Sequence, residues 1–432
     1  MNKTIHQLDS IIAITGNDEV AGFDVSENKT GKMTVNQIAS FADSHPTGSV
    51  SNENTKTVSG GNVYSALVAR QGILYRIPRW LRFSASSKTS LVIKAGTMIL
   101  VGTHIYEAAT DKTYSMGTLT AGKDYFVYLN YSSNAWSVTC SQTKSADTST
   151  KRLIGRFHTL CAAVPNDSTN YMLIPDSPGG SASSILVKSY NQYDDPDFYA
   201  FYNKSVISRE AGTYYDVVTV AHTLAGYSAG NILPESVMCL TWGVKTMHDD
   251  AMVYDKDTDM FVDVYLQSGT GVNTKSVYNA THTVSRAGTC HQEDMRQVGK
   301  KLLSDYEFSS AAIGGNECTN ITGSSNKGTV GGHVDTNGKR MISAIGCEEM
   351  AGYLWTWLDE FIHTDTSSGW QTIDNQNKFG QQYWNTYQLL AGGYWDYSSN
   401  CGSRCRNSYA SRALVYGLVG GRGSSRAIRG IR

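Results

Sequence analysis

Hydrophobic and polar residues follow three rhythms along the chain. Residues 1 to about 60 are polar, broken by Gly, Asn and Ser, with short apolar stretches such as Leu8-Asp9-Ser10-Ile11-Ile12. Thr34 ahead of Val35, Ile38 and Phe41 reads as a short capped helix with one apolar stripe, and 58–67 is a second short element. Neither buries a core alone, so this stretch is expected to attach to another body or to pair with copies of itself. From about 70 to 174 the text is that of strands. The segment 90–100 predicts two strands around a turn at Gly96, 125–129 a third behind Gly122-Lys123-Asp124, and 152–158 a fourth. Short strands at even spacing point to a sandwich. The segment 175–184, rich in Pro, Gly and Ser, reads as a linker, and a second β-rich region comes after it, with Phe261-Val262-Asp263-Val264-Tyr265-Leu266 near its end. Beyond about 290 the spacing turns helical, through Met295, Val298 and Leu302. Ser304-Asp305-Tyr306-Glu307 spells a capping box, Phe308 to Ile313 continues that helix, Gly314-Gly315 stops it, and Asn337-Gly338 marks a hairpin.

Composition agrees with a mainly β, multi-domain chain. Its 432 residues make about three domains at ~150 residues each. The 41 Gly and 26 Tyr stand against 7 Pro, favouring turns, strands and binding surfaces. A net charge of −1 removes any sequence-independent pull toward nucleic acid or a charged membrane. No apolar run approaches the ~20 residues of a membrane helix, and Met1-Asn2-Lys3-Thr4-Ile5-His6 lacks the layout of a secretory signal. The eight cysteines are too sparse for a disulfide scaffold, and only Cys401 and Cys405 are close enough in sequence to suggest chemistry.

Three patterns imitate chemistry. Gly226-Tyr227-Ser228-Ala229-Gly230 matches a nucleophile elbow, but Asn231-Ile232-Leu233-Pro234 comes next where that chemistry needs a helix, so it reads as a loop. Cys290, His291, Glu293 and Asp294, like His333 and Asp335, lack a repeated ligand spacing and read as structural. Asp335-Thr336-Asn337-Gly338 opens like a calcium loop, but the twelfth position is Gly346 rather than Glu, which leaves a turn. No metal or cofactor is expected.

The informative constellation is Gly346-Cys347-Glu348-Glu349-Met350-Ala351-Gly352-Tyr353-Leu354-Trp355-Thr356-Trp357, then Gly392-Gly393-Tyr394-Trp395, Cys401-Gly402-Ser403-Arg404-Cys405-Arg406 and Gly420-Gly421-Arg422-Gly423. In this order it resembles the C-type lectin-like fold shared by formylglycine-generating enzymes and the variable proteins of diversity-generating retroelements. The likeness covers roughly 290–432. Thr57-Val58-Ser59-Gly60-Gly61-Asn62-Val63-Tyr64, Asn231-Ile232-Leu233-Pro234-Glu235-Ser236-Val237 and Gln267-Ser268-Gly269-Thr270-Gly271 resemble phage tail-fibre proteins that end in such a domain. The resemblance implies a virion-attachment and trimerisation segment at 1–69, a sandwich-type domain at 70–176, a second β-rich region at 177–289 acting with it as stalk, and an α+β lectin-like domain at 290–432.

It also sorts residues by role. Trp355, Trp357, Gly392, Gly393, Trp395, Cys401, Gly402, Cys405 and Arg422 match the constant pattern and are expected to be scaffold. Tyr394, Asp396, Tyr397, Ser398, Ser399, Asn400, Asn407, Tyr409, Ser411 and Tyr416 fall where the family varies and are expected to touch a receptor. From Ala391 to Tyr416, 14 of 26 positions are Gly, Tyr, Ser or Asn, residues that give contact area and adaptable hydrogen bonds at low entropic cost. In that family, adenine-directed mutagenesis of Asn-type codons generates such residues but not Lys, Glu, Gln, Met or Trp, which are nearly absent from the window.

The expected function is host-receptor binding at a tail-fibre tip, with a protein or glycan as receptor, tail or baseplate proteins as neighbours, a homotrimeric state and no catalysis. The rival is a copper oxidase like the formylglycine-generating enzymes. Cys401 and Cys405 stand as C-x-x-x-C, however, one residue short of the enzyme pattern, and Tyr353 replaces the usual Asn. The two thiols otherwise read as a short-range disulfide or a reduced pair packed by Trp395. A bacterial surface-displayed ligand-binding protein is the third reading, and it needs a signal or anchor not visible at Met1. The Arg-rich end, Arg422, Arg426, Arg429 and Arg432, is expected to pack on a neighbouring subunit or on loop carboxylates rather than on nucleic acid.

Overall fold

The computed structural model describes residues 19–24, 29–34, 83–175, 184–190, 199–212, 215–363, 369–372, 381–383 and 386–429. The chain divides into a unit of residues 1–76 and a unit of residues 77–432. In the first, Glu19–Asp24 pairs antiparallel with Lys29–Thr34. Thr34, expected to cap a helix, ends a strand instead. The rest of that helix, the element at 58–67 and positions 176–183 of the linker lie outside the described residues.

The second unit begins with strands whose apolar residues alternate. Tyr125, Val127 and Leu129 of Asp124–Ser132 are buried with Ile154 and Phe157 of Lys151–His158, and the Tyr125 ring stacks on Phe157 at 5.4 Å. These strands lie in a six-stranded sheet that also takes in 135–141, 238–239, 242–243 and 428–429. Leu91 and Ile93 of Ser90–Ile93, and Ile99 and Val101 of Met98–Val101, join the same core. The turn at Gly96 does not make those two strands a hairpin. Ser90–Ile93 pairs with Phe83–Ala85 and Lys112–Ser115, while Met98–Val101 turns back at Gly102 onto His104–Glu107. The tight two-residue turn at Gly102 closes Met98–Val101 onto its nearer neighbour, and the strand after that hairpin returns to Ser90–Ile93.

The elements that build the lectin-like part around the candidate site are labelled in chain order: β1 Met252–Asp255, β2 Met260–Asp263, α1 Gly288–Gln297, β3 Lys301–Leu302, α2 Asp305–Ala311, β4 Trp355–His363, β5 Thr386–Gly392, β6 Gly402–Asn407, β7 Val419–Gly420 and β8 Gly423–Arg426. The capping box at the start of α2 is formed. Ser304 Oγ accepts from the Glu307 N–H at 3.2 Å, and Glu307 Oε2 accepts from the Ser304 N–H at 2.9 Å. α2 ends at Ala311, and α1 begins at Gly288, ahead of the first residue its periodicity marked. Two sheets organise this part, in strand orders β1-β2-β8-β3 and β6-β5-β4-β7. β1 and β2 precede position 290, yet they share a sheet with β8, so this sheet spans the boundary read at 289/290.

Buried polar contacts join the sandwich-like part to the lectin-like part of the same unit. His158 Nε2 lies 3.0 Å from the Tyr265 hydroxyl, and Cys161 Sγ lies 3.2 Å from Glu348 Oε1, which also takes the Arg340 guanidinium at 2.6 Å. Burial pushes the Cys161 thiol well above its ordinary range, so it is a neutral donor here. Arg422 is fully buried. Its guanidinium donates to the carbonyls of Asp263 at 2.7 Å and Val264 at 2.6 Å, and to that of Glu348. The side chain expected against loop carboxylates or another subunit thus serves main-chain carbonyls of its own chain.

Removing those donors takes a hydrogen bond from each of three buried carbonyls, of which that of Val264 keeps the Glu348 N–H at 2.8 Å, and each loss is a substantial penalty. Arg422→Met is expected to destabilise the second unit by about 3–5 kcal/mol, read from urea unfolding by tryptophan fluorescence. A loss within ~0.5 kcal/mol would mean that these bonds do not hold the strands.

Candidate binding surface

A small core lies beneath the expected contact residues. Trp355 and Trp357 of β4, Leu390 of β5, Met295 of α1 and Leu302 of β3 are buried together, and Ala410 and Val419 enter the same cluster. The segment between Ala410 and Val419 is thereby pegged at both ends and lies over the core. Further bonds hold it down, from the Gly288 N–H to the Arg412 carbonyl at 3.0 Å and from the Ser285 N–H to the Tyr416 carbonyl at 3.1 Å. Its side chains between the pegs point outward: Ser411, Leu414, Val415 and Tyr416 are exposed.

A second loop leaves β5 at Gly392-Gly393. Both glycines have positive φ, and a Cβ at Gly393 would sit 2.7 Å from Cys401 Sγ, so no larger residue fits. The chain then makes a 3-10 turn at Ser398–Asn400. Asp396, Tyr397, Ser398, Ser399 and Asn400 are all exposed. Tyr394 is half-buried, with the Tyr397 ring 4.3 Å away, and Tyr397 meets Trp355 edge-on at 5.6 Å. Tyr409 is 73% exposed and stacks on Tyr387 at 5.6 Å. Asn407 is half-buried, and its Oδ1 accepts from the Tyr409 N–H at 2.9 Å, which shapes the turn presenting that ring. Most of the expected contact residues therefore occupy two loops flanking one small core. Tyr394 and Asn407 support their neighbours more than they face solvent.

The scaffold residues lie inside or at the edge. Trp355, Trp357, Cys401, Gly402 and Arg422 are buried, while Trp395 and Cys405 are half-buried. The Trp395 carbonyl accepts from the Asn320 amide. Arg406 pairs with Asp305 and donates to Ser309 Oγ at 2.6 Å, which fastens β6 to the start of α2. Cys401 and Cys405 are free thiols. Burial pushes Cys401 up to about 12 and raises Cys405 as well, the reverse of the lowering that thiolate chemistry draws on. Leu414 and Val415 are exposed beside Tyr416, and Tyr387 supports Tyr409, although sequence reasoning named none of the three. The Leu414-Val415 pair carries no local mark of exposure, which comes from its loop being pegged on either side.

The motifs set aside on sequence have structural employment. Ser228 is exposed in a loop, and the next element is a 3-10 turn led by Pro234 rather than an α-helix. His291 Nδ1 lies 2.6 Å from Gln267 Oε1, and Asp294 is paired with Arg286 at 2.7 Å. His333 pairs with Glu349, and Asp335 Oδ1 accepts from the N–H groups of Asn337 and Lys339, both at 2.9 Å, as in a turn.

Residues 81–175 match a known domain family, the Mtd second domain. Over 350 residues the chain is 24% identical to the tail fiber receptor-binding protein of Bordetella phage BPP-1, covering 79% of this chain and 81% of that one. The chain is a homologue of that tail-fibre protein. Solved structures of the Major Tropism Determinant share its fold. The U1 variant superposes with a TM-score of 0.58 at 21% identity, covering 82% of this chain and 85% of that one, and the M1 variant with 0.57 at 22% over the same shares. The multi-domain, mainly β architecture with a C-type lectin-like fold, and the likeness to tail-fibre proteins that end in one, are thereby borne out. These relatives are named for receptor binding and tropism, not for catalysis.

Burial lowers His291 to about 4. The unfolded chain takes up this proton near pH 6.5 and the folded chain resists it until about 4, so the stability that neutral His291 confers is complete above 6.5 and is lost as pH falls through that window. His291→Gln is expected to flatten the dependence there, by up to ~1.4 kcal/mol per pH unit, in urea titrations at successive pH values. An unchanged slope would contradict the assignment.

Proposed function

We propose that the chain is a phage tail-fibre receptor-binding protein, a determinant of host tropism that recognises a cell-surface receptor through the two loops described. The observation carrying this reading is the separation of roles around one core. Trp355, Trp357, Leu390, Ala410 and Val419 are buried, while Asp396, Tyr397, Ser398, Ser399, Asn400, Tyr409, Ser411 and Tyr416 above them are exposed. Kinship with a protein named for receptor binding supports it. Outward side chains can change at little cost in stability, typically within ~0.5 kcal/mol, so the arrangement suits a surface rewritten by a diversity-generating retroelement.

On this reading no bond is made or broken, and the protein sits on the virion at the fibre tip. Residues 1–69 dock to tail or baseplate proteins. The described strands between 83 and 243 form a stalk, and the receptor-binding unit takes in β1 and β2 together with 290–432. A homotrimer multiplies weak contacts, since linked sites raise avidity by about 10²–10⁴.

Ala at Tyr397 or Tyr409 is expected to weaken adsorption to host cells about tenfold or more while melting temperature stays nearly unchanged. A variant that unfolds would identify the ring as core and displace the site. Light scattering of the purified chain is expected to give a trimer, and a monodisperse monomer would overturn that state.

A further inference from the structure

Cys401 and Cys405 stand at the ends of a chain segment that its sheet folds back on itself. β5 and β6 pair Leu390 with Asn407 and Ala391 with Arg406, and then Gly392 with Gly402. Gly402 and Arg406 thus face neighbouring positions of one strand, and Ser403, Arg404 and Cys405 bulge out between them. Four extended residues would span roughly 13 Å, whereas neighbouring strand positions lie about 3.3 Å apart. The bulge therefore returns Cys405 toward Cys401.

Several bonds fix this return. The Arg406 guanidinium donates to the carbonyls of Ser403 and Cys405, both at 2.9 Å, and the Ser403 N–H donates to Glu317 Oε2 at 2.9 Å. The Cys401 thiol donates to the Tyr394 carbonyl at 3.3 Å, and Cys405 packs at the rim of the core that Tyr394 also borders. The Cys318 N–H donates to the Cys401 carbonyl at 2.8 Å, which brings an exposed third thiol to the same place.

We propose that Cys401 and Cys405 form a redox clasp, a disulfide within the bulge that closes when the folded chain meets an oxidising medium and fastens the base of the 394–400 loop. Closure removes two protons and two electrons from the two thiols. A small disulfide such as oxidised glutathione accepts both and leaves as two thiols, through a mixed disulfide on one cysteine that the other displaces. The thiolate is the attacking form, and burial keeps both thiols protonated, so closure is slow at neutral pH and speeds up as pH rises. The clasp rests on the bulge geometry. The binding reading contributes only its purpose, which is to hold the loop's base while the exposed residues of the loop are exchanged.

The test uses the full chain, purified under reductant and transferred without denaturant to oxidised glutathione at several pH values, then alkylated and peptide-mapped by mass spectrometry. The expected result is one linkage, Cys401 to Cys405, with two fewer alkylated cysteines of the eight and faster formation at higher pH. In Cys405→Ser, Cys401 is expected to remain alkylatable after the same treatment, with circular dichroism confirming that the variant is folded. Separate glutathione adducts on Cys401 and Cys405, a linkage from Cys318 to Cys401, or a linkage that forms only after denaturation would each overturn the proposal. None of these readouts depends on receptor binding, so its failure and that of the binding reading are separate results.

Discussion

A buried guanidinium organises the lectin-like half of this protein. Arg422 sits between β7 and β8 and gives its hydrogen bonds to the end of β2, at Asp263 and Val264, and to Glu348 of the Gly346–Trp357 motif. Beside it, Lys300 and Asp263 form an ion pair of 2.6 Å that is equally buried, and Asp263 Oδ2 accepts from the Gly423 N–H at 3.1 Å. Charge is costly to bury, and the arrangement is tolerable because the donors of Arg422 find main-chain carbonyls and the lysine finds a carboxylate. The two lectin-like sheets, the joint toward the sandwich and the platform beneath the loops are held in register from this point.

That arrangement separates the surface from its frame. The energy of the frame lies in Trp355, Trp357, Leu390, Ala410 and Val419 below and in Arg406 clamped on α2, with the loops pegged over them. A substitution at Tyr409 changes what solvent meets, whereas a substitution at Ala410, its neighbour, changes the volume of a packed core. Adjacent positions therefore carry opposite tolerances. The alternation comes from where the pegs fall, not from sheet periodicity.

Local signals were legible in the sequence, and long-range pairings were not. Ser304 and Glu307 announce a capping box because the motif completes itself within four residues. The Gly392-Gly393-Tyr394-Trp395 segment announces a constrained departure from a strand for similar reasons. By contrast, the pairing of Met260–Asp263 with Gly423–Arg426 leaves no mark near either segment, so a boundary placed at 289/290 looked natural. The strands at 90–93 and 98–101 were readable as strands, but their partners, Phe83–Ala85 and Lys112–Ser115 for the first and His104–Glu107 for the second, were not. Leu414 and Val415 went unnamed because hydrophobicity alone does not reveal that a loop is already anchored through its neighbours.

The position of β8 has a consequence for biosynthesis. It lies between β2 and β3, and residues 428–429 add to the six-stranded sheet beside Trp242-Gly243. A ribosome makes this segment after every strand it joins, and after both exposed loops. Until it emerges, β2 and β3 keep open edges, and open edges invite pairing with the wrong chain. A chain that stopped within the loops would lack Gly423–Arg426 and leave the facing edges of both strands unpaired. The sheet is thus completed only by a chain translated through its last strands.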